Sequence, residues 1–207
     1  MHGTVPPLHA LTNDVVLADP GFVPAATAVM KACRSRIAIH LRAAEITAHR
    51  MLELALELRV IAEVTGSWVL INDRVDIAMV SGVTGAQLTS RSLAIADARR
   101  IAPQMVLGAS VHATADAWLT AQSGATFLVA GAARGDVAQQ PPTRTAVRPA
   151  ISWRRAEGCP VVAVGGITPE SGASASCSAG ASRHRRDARD LARRCPRAPD
   201  PALSCRL

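Results

Sequence analysis

The chain has 207 residues, is 49% hydrophobic and carries a formal net charge of +7, which fits one globular domain with a sizeable buried core. No apolar run reaches the roughly 18 residues that a membrane helix needs, and the first 20 residues lack the basic and apolar regions of a secretory signal. These features exclude a membrane protein and predict a cytoplasmic one, whose five cysteines stay free thiols because they lack the paired spacing of a zinc site.

The positive charge is concentrated at the carboxyl end of the chain. Residues 171–207 hold eight arginines and three aspartates, whereas residues 1–170, with 15 basic and 13 acidic side chains, are nearly neutral. A charge of +7 would suggest an anionic partner if it were spread over one face, but it is not spread in this way. Nucleic acid is not expected, because the chain has only three Trp and two Phe and shows no recognised binding module.

Short apolar runs alternate with amphipathic stretches along residues 8–165, a pattern typical of βα units and a parallel sheet. Seven strands are predicted in chain order, at 8–11, 37–42, 68–71, 86–88, 105–110, 126–130 and 161–165. Helices are predicted between them, at 24–33, 45–61, 74–80, 94–101, 113–122 and 143–157. Within the second helix, Leu52, Leu56 and Val60 recur at about 3.6 residues and predict an amphipathic stripe.

The segment 171–207 lacks the residues that an eighth strand needs. It contains no Val, Ile, Met, Phe, Trp or Glu, whereas a buried parallel strand is a nearly continuous apolar run. The expected fold is therefore an α/β TIM-type barrel incomplete at the eighth strand, with a domain at 1–170 and an Arg/Ser/Ala/Pro-rich tail at 171–207. The tail is either natively disordered or the product of a frameshift near Glu170. An open barrel exposes strand edges that favour pairing with a second copy, so a homo-oligomer is a further expectation.

Six short motifs occur at the ends of successive predicted strands. They are Leu8-His-Ala-Leu-Thr12, Ile39-His-Leu-Arg42, Ile71-Asn-Asp-Arg-Val-Asp-Ile-Ala78, Gln87-Leu-Thr-Ser-Arg-Ser-Leu93, Gly108-Ala-Ser-Val-His112 and Val164-Gly-Gly-Ile-Thr-Pro169. With these motifs in this order, residues 8–170 resemble the thiamine phosphate synthase/TenI family. The resemblance implies a TIM barrel, whose active sites lie at the carboxyl ends of the strands.

The second strand places two polar side chains on one face. Because strand side chains alternate, His40 and Arg42 point into the barrel mouth, while Ile39 and Leu41 face the helices. An inward arginine near a strand end is unfavourable unless an anion meets it, which favours substrate binding by Arg42 over a structural ion pair. For His40, a functional and a structural role both stay open.

The ends of the third and seventh strands carry a predicted metal ligand and a phosphate-binding turn. The resemblance implies that Asp73 holds Mg²⁺ on a pyrophosphate, and magnesium usually takes one or two protein carboxylates; from the residues alone, Asp73 is also a good helix N-cap. Gly165 and Gly166 would let backbone N–H groups approach a phosphate, the alternative being an ordinary strand-to-helix turn. The resemblance adds Asn72 and Ser110 as substrate-binding residues.

Several charged residues that the resemblance implies for the synthase reaction are replaced. In that reaction a pyrimidine pyrophosphate loses pyrophosphate and the thiazole nitrogen captures the cation, so positive charge must gather on the leaving group. A second magnesium aspartate corresponds to Ser92, and two lysines correspond to Ala44 and to Gln139 or Gln140. Efficient synthase activity is therefore not expected.

The motif from Gln87 to Ser92 resembles the TenI branch, which moves a proton around the ring of a thiazole carboxylate phosphate. The catalytic histidine of that branch corresponds to Ala132, so His40 and His112 become the candidate general acids and bases. The favoured hypothesis is a thiamine biosynthesis protein that binds thiazole phosphate and acts as a thiazole tautomerase. The alternatives are a thiamine phosphate synthase and a non-catalytic thiazole phosphate-binding barrel.

The frameshift hypothesis for the tail predicts a specific gene sequence. Sequencing the 3′ end of the gene through to the next stop codon in all three frames should reveal an apolar strand followed by a Gly/Ser-rich loop, a few bases out of frame near Glu170. If no frame encodes such a strand, the basic tail is the natural end of the coding sequence.

Overall fold

Eight parallel strands form a closed barrel in the computed structural model, which describes residues 4–112, 114–131, 159–164 and 184–187. The strands are β1 (Leu8–Leu11), β2 (Ile37–Leu41), β3 (Trp68–Asn72), β4 (Gly85–Leu88), β5 (Val106–Val111), β6 (Phe127–Gly131), β7 (Val161–Val164) and β8 (His184–Asp187). The helices of the described residues are α1 (Asp14–Ala18), α2 (Phe22–Cys33), α3 (Ala48–Thr65), α4 (Val75–Ser81), α5 (Ile95–Ile101) and α6 (Thr114–Gln122). Each strand pairs in parallel with the next one along the chain, which is the topology of a TIM-type barrel.

The strands and most of the helices follow the sequence pattern closely. All seven predicted strands are present, with ends within one residue of their predicted positions. Helix α1 was not predicted; it is short and is capped by Asn13, whose side chain accepts the Val16 N–H at 2.9 Å. The predicted helix at 143–157 lies outside the described residues.

The expected α/β TIM-type barrel is confirmed, and its eighth position, where the sequence predicts no strand, carries the short strand β8. Strand β8 pairs with β1 at four residue pairs, from Leu8 with His184 to Leu11 with Asp187. It pairs with β7 at one position, Ala163 with His184. A parallel ladder is built by backbone N–H and C=O groups, so a segment without apolar residues can add a strand that the side-chain pattern does not reveal.

Strand side chains form two apolar layers, one inside the barrel and one under the helices. Alternation along β2 places Ile39 and Leu41 in the outer layer, as predicted, and Ala38 in the inner one. The inner layer consists of Val5, Ala38, Trp68, Leu70, Val106, Phe127, Val129 and Val162. This packed interior leaves the strand ends as the part of the barrel open to ligands.

Helix α3 is confirmed, but it buries a different face from the predicted stripe. It begins after Thr47, whose side chain caps a backbone N–H, and ends at Gly66 in the left-handed conformation. Its buried residues are Met51, Leu54, Ala55, Leu58, Ala62 and Thr65. Leu56 and Val60 of the predicted stripe are 44% and 60% exposed. Apolar residues occur around most of this helix, so spacing alone did not identify the face that meets the sheet.

Gly85 in β4 is predicted to be intolerant of any side chain. A Cβ at this position would lie 1.9 Å from the Val106 carbonyl oxygen of β5, a backbone atom that cannot move aside. We expect Gly85→Ala to lower the free energy of unfolding by about 1–3 kcal/mol or more, measured by urea denaturation.

Gly21→Ala is the matched control, because the nearest atom to its added Cβ is the flexible Asp19 carboxylate at 3.2 Å. Equal stabilities for the two variants would contradict the close approach of β4 and β5.

Candidate active site at the carboxyl ends of the strands

Polar side chains gather where the strands of the barrel end, a rim that we call the mouth. Arg42 follows β2, Asn72 and Asp73 end β3, Thr89 follows β4, and Ser110 lies near the end of β5. Because all strands run in parallel, these residues share one edge of the barrel.

The carboxylate of Asp73 is the most heavily hydrogen-bonded group of the mouth. Its Oδ1 atom accepts the Thr89 N–H and the Thr89 hydroxyl, both at 2.8 Å, and the hydroxyl of Ser92. Its Oδ2 atom accepts Asn72 Nδ2–H at 2.9 Å. Asp73 has a φ of 60°, a left-handed conformation that Asp tolerates better than most residues. The carboxylate therefore links the end of β3 to the turn after β4.

The pKa of Asp73 reflects two opposing effects. Burial disfavours the carboxylate and by itself would raise the pKa. The hydrogen bonds from Ser92, Thr89 and Asn72 outweigh burial and hold the pKa of Asp73 below its usual value. Asp73 is therefore ionised at neutral pH.

Asn72 and Gln87 lie side by side on neighbouring strands, and each has a side-chain oxygen that accepts no hydrogen bond from the described residues. The two residues are register partners in β3 and β4. Within the described residues, Asn72 Oδ1 and Gln87 Oε1 are buried and accept no hydrogen bond. Gln87 has no exposed surface, and its Nε2 group donates to Ser110 Oγ at 3.1 Å and to the Leu88 carbonyl at 3.3 Å. Gln87 was not among the predicted site residues, although its position at the start of the Gln87–Leu93 motif could have indicated it.

The structure places the two predicted catalytic histidines in different environments. His40 has no exposed surface and lies inside the barrel, 2.8 Å from His9 Nδ1 through its Nε2 atom and edge-on to the Phe127 ring. His112 follows β5 and is exposed. They are therefore not neighbours in one catalytic pair, and their proposed role in proton transfer stays a prediction.

Arg42 is exposed at the end of β2, on a segment that is held in place by its neighbours. The Thr12 hydroxyl donates to the Arg42 carbonyl at 3.0 Å and accepts the Arg42 N–H at 2.8 Å. The Asp14 carboxylate accepts the N–H groups of Ala44 and Glu45 at 2.7–3.0 Å. These contacts fix the backbone that carries Arg42 and leave its guanidinium accessible to an anion. The predicted phosphate-binding residues Gly165 and Gly166 lie outside the described residues.

A cavity of about 360 Å³ opens beside the ends of β4 and β5, against α5 and α6. Its polar lining consists of hydroxyl groups, those of Thr89, Ser90, Ser92, Ser110, Thr120 and Ser123. Thr89 and Ser92, two of the residues that donate hydrogen bonds to Asp73, thus also border this space. The size and the hydroxyl lining suit part of a polar small molecule.

The oxygen atoms of Asn72 and Asp73 at the mouth fit a magnesium ion whose other ligands are water and phosphate. Among the described residues, no three His, Cys, Asp or Glu side chains cluster. Asp73 would supply one carboxylate, and the buried Asn72 Oδ1, which accepts no hydrogen bond within the described residues, would supply a neighbouring oxygen. Mg²⁺ usually binds through one or two carboxylates, with water and phosphate completing the shell.

A closed parallel barrel with its polar groups at the strand ends defines a TIM-barrel protein with a ligand site at the mouth. A family model described as "Thiamine monophosphate synthase", TMP-TENI, matches residues 18–183. The chain therefore belongs to the thiamine monophosphate synthase family, which confirms the resemblance and places it among proteins of thiamine biosynthesis.

Individual relatives carry the same name. The thiamine-phosphate synthase of Gloeobacter violaceus is 33% identical over 146 residues, which are 70% of this chain but 42% of that protein. The Pyrococcus abyssi thiamine-phosphate synthase is 28% identical over 157 residues, 75% of this chain and 76% of the relative. The solved thiamine phosphate pyrophosphorylase of Pyrococcus furiosus shares the fold with a TM-score of 0.70 and 23% identity, over 89% of this chain and 91% of that one. No described helix has the length and apolarity needed to span a bilayer.

The Asp14 contacts generate a pH-dependent stability prediction. Backbone N–H groups of Ala44 and Glu45 hold the pKa of Asp14 below its usual value. A carboxylate with a lowered pKa stabilises the fold above its unfolded pKa of about 3.9, and this contribution is lost as the pH falls through the lowered value. We expect Asp14→Asn to lower Tm at neutral pH, and the difference from the parent protein to shrink below about pH 4 in thermal melts.

Asp97→Asn serves as the control, because Asp97 is exposed and its ion-pair partner Arg100 is 3.8 Å away. A difference for Asp14→Asn that is constant across this pH range would contradict the anchoring role of the carboxylate.

Proposed function

We propose that the chain is a thiamine phosphate synthase, which joins a pyrimidine pyrophosphate to a thiazole phosphate and releases pyrophosphate. The observation that carries the proposal is the Asn72–Asp73 pair, held at the mouth by Thr89 and Ser92 in a chain of this family. The motif around Gln87 favoured the tautomerase branch, but the relatives are named synthases, and this supports the alternative hypothesis over the tautomerase.

In the proposed reaction, the bond from the pyrimidine methylene carbon to the pyrophosphate oxygen breaks, and the electron pair leaves with pyrophosphate. The ring nitrogen of the thiazole phosphate then donates its lone pair to form the new C–N bond. The chain's own residues would bind and orient the two anionic ends: Arg42 brings an exposed guanidinium after β2, and Ser110, which is partly exposed, brings a hydroxyl near the end of β5. Asp73 and Asn72 would hold Mg²⁺, which when bound supplies positive charge for the leaving group.

We expect turnover to be slow. Ser92 and Ala44 bring no charge to the mouth, where the family resemblance implies an aspartate and a lysine. Each missing electrostatic contact with a developing charge typically raises a barrier by about 3–4 kcal/mol. Gln139, Gln140 and Ala132, the other replaced positions, lie outside the described residues.

The placement of the histidines leaves one candidate for proton transfer in a tautomerase reaction. A general acid or base must come within hydrogen-bond reach of the proton that it transfers. His40 has no exposed surface and its Nε2 atom is engaged with His9, so His112 is the candidate that a ligand could reach.

The proposal is tested by incubating the purified full chain with the pyrimidine pyrophosphate, the thiazole phosphate and Mg²⁺. We expect thiamine phosphate and pyrophosphate to form in equal amounts, measured by mass spectrometry and a phosphate assay. Asp73→Asn should lower kcat/KM by about 10²–10³-fold, because it removes the one carboxylate expected to hold the metal.

Glu63→Gln changes an exposed carboxylate near the end of α3, at the opposite face of the barrel from the mouth, and should keep the parental rate. A folded protein that forms no thiamine phosphate would refute the synthase assignment. Conversion of the thiazole carboxylate phosphate tautomer, followed by NMR in the same preparation, would then select the tautomerase.

A further inference from the structure

The orientation of the Gln87 amide is determined by its surroundings. One of its two terminal atoms lies 3.3 Å from the Leu88 carbonyl oxygen, which can only accept a hydrogen bond, so that atom is the NH₂ group. The opposite orientation would place two acceptors against each other. Nε2 is also the atom that lies 3.1 Å from Ser110 Oγ, and therefore the amide donates to the serine.

A glycine on the next strand leaves room for the Gln87 amide. A Cβ added at Gly108, the register partner of Gln87 in β5, would lie 2.2 Å from Gln87 Oε1 and 2.3 Å from the Phe127 ring. The amide oxygen thus occupies the space that a side chain at position 108 would fill. In the described part of the chain this oxygen accepts no hydrogen bond, although Gln87 is fully buried. The Gln87 side chain thus donates through Nε2 while its own oxygen accepts no hydrogen bond from the described residues.

The orientation of the Gln87 amide determines the role of the Ser110 hydroxyl in this hydrogen bond. A hydroxyl has one proton, and because Ser110 Oγ accepts from Gln87, its proton is free to point elsewhere. Ser110 is partly exposed and lines the cavity at the ends of β4 and β5. The hydroxyl proton is thus available to an acceptor that enters the mouth.

We propose that Gln87 is a positioning residue that presents the Ser110 hydroxyl as a hydrogen-bond donor to a phosphoryl oxygen of the substrate. Gln87 itself does not touch the ligand. The inference rests on the proposed function for the presence of a phosphoryl group. A phosphate monoester and a pyrophosphate offer the same acceptor chemistry, so either substrate could supply the oxygen.

The test is a double-mutant cycle on anion binding, with inorganic phosphate and inorganic pyrophosphate as separate probes in isothermal titration calorimetry with Mg²⁺. Gln87→Met keeps the length of the side chain and removes the donor. We expect Gln87→Met and Ser110→Ala each to weaken binding of one of the two anions by about tenfold. If Gln87 acts through Ser110, the double variant should bind no more weakly than Ser110→Ala alone. The anion affected identifies which substrate Ser110 meets.

Gln122→Met, the same change at an exposed position at the end of α6, is the control and should bind as the parent does. The proposal would be overturned if the loss of anion affinity in the double variant equalled the product of the two single losses. It would also be overturned if a folded Gln87→Met bound the anion as tightly as the parent protein does. If the binding results are as expected but no thiamine phosphate forms, the synthase assignment is refuted while the positioning role of Gln87 stands. The absence of binding of either anion to the parent protein would overturn the positioning role.

A second measurement covers the case in which Gln87→Met does not fold. In ¹⁵N-labelled parent protein, the side-chain NH₂ signals of Gln87 should shift when the bound anion is added, because its partner Ser110 is then polarised. Ser110→Ala should remove that shift. Signals of Gln87 that stay fixed while backbone signals around Ser110 move would contradict the proposal.

Discussion

The hydrogen bonds of the Asp73 carboxylate determine the arrangement of the mouth. They join the end of β3 to the turn after β4 through Thr89 and Ser92, and the same turn borders the cavity beside β5. A partly buried carboxylate is stable in this place because four donors compensate for the water that it loses. The proposed magnesium ligand is thus also the structural connection on which the neighbouring hydroxyl groups depend.

The sequence predicted the barrel well because the information was local. Each of the first seven strands is a short apolar run between helical segments, and its ends could be read within one residue. The face of α3 and the presence of β8 could not be read in this way. Apolar residues lie on several sides of α3, and β8 is held by backbone pairing with β1, at the other end of the chain. Both features depend on tertiary contacts rather than on the pattern.

The candidate site was predicted in part. Arg42, Asn72, Asp73 and Ser110 lie at the strand ends, as expected from their motifs. The burial of His40 beside His9 and Phe127 could not be predicted, because alternation gives the face of a strand but not the depth of a residue in the barrel. Gln87 was missed because its importance depends on which atom of the amide meets the Leu88 carbonyl. Family membership describes a barrel of the thiamine monophosphate synthase family, and Ser92 and Ala44 bring no charge to its mouth.

The single pairing between β7 and β8 has a consequence for how the molecule is made. Strand β8 bonds mainly to β1, so closure of the ring joins the two most distant strands of the chain. During synthesis on the ribosome, β1 to β7 emerge first and two unpaired strand edges face solvent until residues 184–187 arrive. Because contacts between residues remote in sequence form slowly, closure of the barrel by β8 is expected to be a late step of folding.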